Sequence, residues 1–279
     1  MIKIVTDSTA YLAEETVHSH DITVVPLCVN FGRDAYKEGV EMSHEQFYER
    51  LQDAPALPTT SQPSTGDFKK AFEKLADAGH EIVTLTISQK LSGTYSSAIA
   101  AKEMLPGAKI SVIDSRSTSV GLHLLVEAAV QAVAEGASRD EIVSLIDEMK
   151  NKVQVLFVVD TLEYLAKGGR IGNAKAFLGT LLKVKPILVL QEGAIEPLEQ
   201  VRSKRKAQAR MLGLMEEYLG DKGPQARVAL AQALVPDEAQ AMALELQGRL
   251  GCSQPAISEI GPVIGTHTGP GVIGVAACP

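Results

Sequence analysis

Two hydroxyl-rich stretches carry the most chemistry in the chain: Thr59-Thr60-Ser61-Gln62-Pro63-Ser64 and Leu91-Ser92-Gly93-Thr94-Tyr95-Ser96-Ser97. Each falls where a strand or loop gives way to an expected amphipathic helix. The first turn of a helix leaves backbone N–H groups unpaired and carries a partial positive charge, so it can hold an anion. Two such starts, both bearing neutral hydroxyl donors, make a cradle for one small acidic group. Ordinary uses compete with this reading. Thr60 and Ser61 are good turn residues before Pro63, and Ser92, ahead of a glycine, suits a helix cap. The turn reading loses weight because Ser92, Arg202 and Gly269-Pro270-Gly271 form further breaks with polar tips.

Other chemistries find less support. Ser92, His267 and several aspartates are present, but no G-x-S-x-G elbow marks a serine hydrolase. Gly269-Pro270-Gly271-Val272-Ile273-Gly274 matches G-x-G-x-x-G, yet only five residues follow it, too few for a βαβ unit. Its glycines are better read as letting backbone approach something closely. No P-loop pattern occurs. The six histidines are scattered, and the three cysteines (Cys28, Cys252, Cys278) form no C-x-x-C pair. Neither a metal site nor a disulfide framework is expected. The run Arg202-Ser203-Lys204-Arg205-Lys206 places cations at a helix start, where they oppose the dipole. That mismatch, together with Arg170, suggests a face for an acidic ligand or partner.

The elements that position these residues follow from patterning. Strands are expected at Ile2–Thr6, Ile22–Val29, Ile82–Ile87 and 110–113, separated by helices. The helices lie near 11–18, from Ser43 to Leu51, from Ser64 to Gly79, from Ser92 to Met104, 119–135 and 138–150. Ser43-x-x-Gln46, Ser64-x-x-Asp67 and Ser138-x-x-Glu141 are capping boxes. This alternation indicates βαβ units and a mainly parallel sheet. Ligands of such sheets bind beyond the carboxyl ends of the strands, the edge that Asp7-Ser8-Thr9, 88–92 and 114–119 occupy. After residue 153 come strands at 154–159, 186–191, 194–201, 227–232 and 272–277. A hairpin turns at Glu192-Gly193, and helices are expected at 160–165, 173–182, 203–219 and 237–250. The domain boundary is placed near 150–153, giving domains 1–152 and 153–279.

Composition narrows the function classes. The chain has 279 residues, 45% of them apolar and 22% charged, and a net charge of -7. That balance excludes a large nucleic-acid footprint, which needs a basic excess. The chain opens on an apolar strand rather than on a charged and then apolar leader, so no secretory signal is expected. The apolar stretch 120–134 is short and is broken by His123, Glu127 and Gln131. No transmembrane segment is expected, and the location is read as cytoplasmic.

The motifs together resemble the DegV family of bacterial fatty-acid-binding proteins, nearly end to end. The marks are Asp7-Ser8-Thr9-Ala10, Thr60–Ser64, Leu91–Tyr95, Asp160–Leu165 and Gly168-Gly169-Arg170-Ile171-Gly172. Lys185-Pro186-Ile187-Leu188, Val201-Arg202 and His267-x-Gly269-Pro270-Gly271 complete them. The resemblance implies an α/β fold: an N-terminal α/β/α domain with a mainly parallel sheet and a C-terminal two-layer α/β domain. It implies one long-chain fatty acid held between them, with Thr60 and Ser92 on the carboxylate. Ser61, Gly93, Arg170, Arg202 and His267 are further candidate contacts to the head group or a partner. Some members present the acid to a fatty-acid kinase, which makes an acyl phosphate. The implied protein is a carrier without catalytic residues, metal or cofactor. The alternative is an enzyme in its own right, an esterase or an acyl or phosphoryl transferase using Ser92 and His267. Gln89 and Glu38 are mild departures, and neither is expected to touch the head-group contacts. The low aromatic content, 4%, suits an aliphatic tunnel.

Overall fold

The computed structural model describes residues 1–178 and 184–279. In chain order, strand β1 (Ile2–Asp7) runs into a 3-10 turn (Ser8–Ala10), helix α1 (Glu14–Ser19) and β2 (Thr23–Val25). Then come β3 (Cys28–Phe31), β4 (Asp34–Lys37), α2 (His44–Asp53), β5 (Thr59–Ser61), α3 (Thr65–Asp77) and β6 (Glu81–Thr86). They are followed by α4 (Thr94–Glu103), β7 (Ile110–Asp114), α5 (Val120–Ala134), α6 (Arg139–Met149), β8 (Gln154–Val158) and α7 (Glu163–Lys167). The chain closes through β9 (Lys185–Gln191), β10 (Ala194–Val201), α8 (Lys204–Leu219), β11 (Arg227–Gln232), α9 (Pro236–Leu250), β12 (Ala256–Glu259), α10 (Pro262–Thr268) and β13 (Ile273–Cys278).

Three sheets result. The first, ordered β2-β1-β6-β7, is parallel throughout. Side chains alternate across it, as a period of two requires. Val5 and Ile82 pack with Phe68 and Phe72 of α3. Ile4 and Val83 face the larger core with α5 and α6. The second sheet, β10-β9-β8-β13-β11-β12, is antiparallel except for β11 and β12. One of its faces carries α8 and α9 through Leu156, Val158, Met211 and Leu246. Its other face, with Val155, Phe157 and Ala231, joins the same core as α5. Helix α5 thus touches both sheets, which explains why it is apolar on nearly every side and buried almost throughout. The protein is an α/β fold with one parallel and one mixed sheet. A small antiparallel sheet, β4-β3-β5, completes it.

Local signals work where the determinants are local. All three capping boxes form. The hairpin turns through Glu192 and Gly193, both at positive φ (47° and 82°), as a type I′ turn demands. Other expectations change. The strand expected over 22–29 is split at Pro26-Leu27, and its halves enter different sheets. Pro26 has no N–H to donate to a ladder. Helix α1 starts only at Glu14, because the 3-10 turn ends on Tyr11 at φ 46°. Thr60 lies within a strand rather than at a helix start. The helix expected from Ser92 begins at Thr94 and is not amphipathic; only Thr94, Ala98 and Ala101 of it are buried. Of the helix expected over 173–182, residues Gly172–Phe177 form a 3-10 helix, and 179–183 lie outside the described residues. Strand β4 and helix α10 were not anticipated.

Candidate functional site

A cavity opens at the carboxyl edge of the parallel sheet and runs along the α5-facing side of the mixed sheet. Most of its wall is aliphatic, with Leu27, Ile87, Val155, Leu190, Ile195 and Val263 among the contributors. Thr60, Gln62, Ser92, Arg170 and His267 supply polar groups.

Each arrives from a different element. Thr60 stands on β5, opposite Val29 of β3, and shares a 2.8 Å hydrogen bond with His267 Nε2 of α10. Ser92 follows β6, and its hydroxyl lies 2.9 Å from Thr94 Oγ1 in the first turn of α4. Arg170 is half-buried; its Nε donates to Leu91 O (3.1 Å) and its Nη1 to Gly168 O (2.8 Å). Among the described residues no carboxylate pairs with it. A cation held only by carbonyls at the end of an apolar cavity favours an acid there.

His267 is buried, and burial, then the charge of Arg170, pushes its pKa down to about 4. The ring is therefore neutral at pH 7. Its Nδ1 has no partner among the described residues and faces Gly168, where a Cβ would stand 2.2 Å away. The glycines after α10 serve close approach as well. A side chain at Gly269 would strike the Tyr164 ring, and one at Gly271 would meet Asp160 Oδ2.

The structure therefore gathers Thr60, Ser92, Arg170 and His267 at one cavity and leaves Ser61, Gly93 and Arg202 out of its lining. Ser61 and Arg202 are exposed. Gly93 is the N-cap residue of α4 and lies beside Gln62, whose amide would be 2.9 Å from a Cβ there. The basic run is partly neutralised, since Lys204 reaches Glu238 (3.3 Å) and Asp160 (3.8 Å).

One contribution was missed. Glu38 does bear on the site, through α10. Its buried carboxylate accepts from Ser8 Oγ (2.5 Å), Tyr11 OH (3.2 Å) and the Val263 N–H (2.8 Å). Tyr11 OH in turn accepts from the Ile264 N–H. The first turn of the helix that carries His267 is thus pinned to the parallel-sheet side of the molecule. Burial raises the Glu38 pKa to about 7. Pro262, at the first position of α10, is a sequence signal from which this helix could have been read.

The family model described as "Uncharacterised protein, DegV family" matches residues 1–279. A DegV domain-containing protein of Halalkalibacterium halodurans is 43% identical over 277 residues, which cover 99% of this chain and 97% of that one. A fatty-acid-binding DegV family protein from Thermus thermophilus superposes with a TM-score of 0.93 at 34% identity, over 99% of each chain. A stearic-acid-binding protein from Eubacterium ventriosum gives a TM-score of 0.93 at 33% identity, over 100% of this chain and 98% of that one. In sequence and in fold alike, this chain belongs to the DegV family.

Proposed function

We propose that the protein binds one long-chain fatty acid in this cavity, with the tail along the aliphatic wall and the carboxylate at Thr60 and Ser92. Arg170 and His267 stand beside the head group. The observation that carries this reading is a cavity whose wall is mostly aliphatic and which also gathers hydroxyls, a neutral imidazole and a guanidinium that meets only carbonyls among the described residues. Burying each methylene contributes about 0.8 kcal/mol, so the tail supplies affinity. A partly buried carboxylate needs donors, so the polar end sets orientation. The relatives from Thermus thermophilus and Eubacterium ventriosum are fatty-acid-binding proteins, which supports the same ligand here.

The protein acts as a carrier that presents the acid to a fatty-acid kinase for acyl-phosphate formation. Hydroxyl donors leave a carboxylate oxygen free to attack a phosphoryl group, whereas a bidentate arginine clamp would occupy both oxygens. An esterase reading is less supported. The His267 Nε2 bond goes to Thr60 rather than Ser92, and no acid orients Nδ1 among the described residues. Mass spectrometry of material extracted from the purified protein tests the ligand: a long-chain fatty acid in near-stoichiometric amount is expected, and an empty or non-lipid extract rejects the reading. Turnover of an ester or of ATP by the protein alone would replace the carrier with an enzyme.

A further inference from the structure

The turn that presents Ser92 is hung on a residue outside the cavity lining. Ser88 follows the end of β6 by two residues and is fully buried. Its carbonyl accepts from the N–H groups of both Leu91 and Ser92, at 3.0 Å each. Arg170 reaches the same turn through its bond to Leu91 O. Two of the groups beside the proposed head group are thus placed with reference to Ser88.

Ser88 is held in turn by other parts of the chain. Its N–H donates to Ser117 O (2.8 Å), and the neighbouring Ile87 N–H donates to Asp7 Oδ2 (2.6 Å). Its hydroxyl accepts from the Lys90 N–H (3.2 Å) and donates to Gly193 O (2.8 Å). That last bond comes from the mixed sheet. Gly193 lies at the tip of the β9–β10 hairpin, and the same hairpin contributes Leu190 and Ile195 to the cavity wall. The tip is seated as closely as glycine permits: a Cβ there would stand 2.3 Å from Ser88 Oγ and 3.3 Å from Arg116 Cα. A buried hydroxyl that both donates and accepts is a fixed point, and satisfied networks of this kind rigidify what they join. A binding group needs that support, because it must be held within about 0.5 Å of its working position.

We propose that Ser88 is a positioning residue for the head group: its hydroxyl latches the Ser92 turn to the β9–β10 hairpin, and the latch sets where Ser92 meets the carboxylate. Ser88 itself touches no ligand. The proposal rests on the fatty-acid reading with Ser92 on the carboxylate. Through this bond the wall against the tail and the hydroxyl at the head are kept in one register.

The test compares octadecanoic acid with octadecanol, which carries the same tail on a neutral head, in titrations of the full chain. The acid-to-alcohol affinity ratio isolates the head group, since a merely loosened fold weakens both alike. Ser92→Ala is expected to lower the ratio about tenfold and Ser88→Ala about fivefold. In the Ser92→Ala background, removing the Ser88 hydroxyl should change the ratio less than about twofold, because coupled residues are not additive. Gly193→Ala crowds the same bond from the hairpin side and should lower the ratio as Ser88→Ala does; it carries the test if Ser88→Ala does not fold. A ratio unchanged in both of these variants overturns the proposal while the Ser92 assignment stands. Equal weakening of acid and alcohol, or full additivity with Ser92→Ala, overturns it too. A ratio unchanged in Ser92→Ala itself removes Ser92 from the head group, and the proposal falls with it.

Discussion

Two polar clusters sit at opposite ends of the short helix α10, and they differ in how fully they are satisfied. At its start, Glu38 accepts three hydrogen bonds from Ser8, Tyr11 and Val263. At its end, among the described residues, His267 bonds Thr60 and leaves Nδ1 unpaired, while no carboxylate pairs with Arg170. Glu38 and His267 are both buried, so burial does not tell them apart. What distinguishes them is that the carboxylate of the first is hydrogen-bonded to three protein groups, while the second keeps polar atoms without partners among the described residues beside a largely aliphatic cavity. A closed network rigidifies; an open one is where a ligand completes the pairing.

Substitutions can break this contrast. The largest effect is expected at Gly168, where Val would push a side chain into His267 and to within 2.9 Å of the Tyr164 carbonyl. We expect about 3 kcal/mol or more of stability lost and no measurable acid binding; a variant that melts and binds like the parent would mean that the open cluster tolerates displacement. Next, Glu38→Ala leaves two hydroxyls and a backbone N–H unpaired. About 2–3 kcal/mol of stability should go in chemical denaturation, far more than in Glu38→Gln.

The pH dependence sharpens the comparison, because the two clusters carry opposite signs. The Glu38 pKa rises from 4.5 to about 7 on folding. Between those values the native state holds more protons than the unfolded chain, so stability falls as pH climbs through the window. Asp7, raised from 3.8 to about 6 by burial, adds a slope of the same sign at lower pH. His267, lowered from 6.5 to about 4, works the other way; its contribution is complete above 6.5 and lost as pH falls through 4. Denaturation of Glu38→Gln and of the parent should therefore agree most closely near pH 4.5 and separate as pH climbs toward 7 and beyond, by about 1–3 kcal/mol in the parent's disfavour. Parallel curves would deny Glu38 its raised pKa.

For the open cluster the profile reverses. Thr60→Ala or Ser92→Ala should weaken acid binding by about 1–3 kcal/mol with little change in melting temperature, read by ligand titration and thermal denaturation side by side. Unchanged affinity in the double variant would remove both residues from the head group. The smallest effect is expected at Arg202, which is exposed and outside the cavity lining. Arg202→Ala should leave acid affinity within about 0.5 kcal/mol, and any larger loss would extend the site beyond the cavity.

How much of this could be seen in the sequence follows from distance along the chain. Capping boxes at Ser43, Ser64 and Ser138 span three residues and were legible. The parallel order of the first sheet followed from alternating strands and helices. The bond between Thr60 and His267 joins residues 207 apart, and no local pattern encodes it; only the family resemblance put both near one head group. Glu38 looked incidental because its partners lie on the 3-10 turn and on α10, and α10 is a seven-residue helix flanked by glycines.

Helix α5 belongs by chain order to the segment before residue 150, yet it covers the face of the sheet built after residue 153. Expressed without residues 1–152, that sheet would lack its lid, and Val155, Phe157 and Ala231 would be bared to water. Prying the two sheets apart would expose the buried keystone that both of them share.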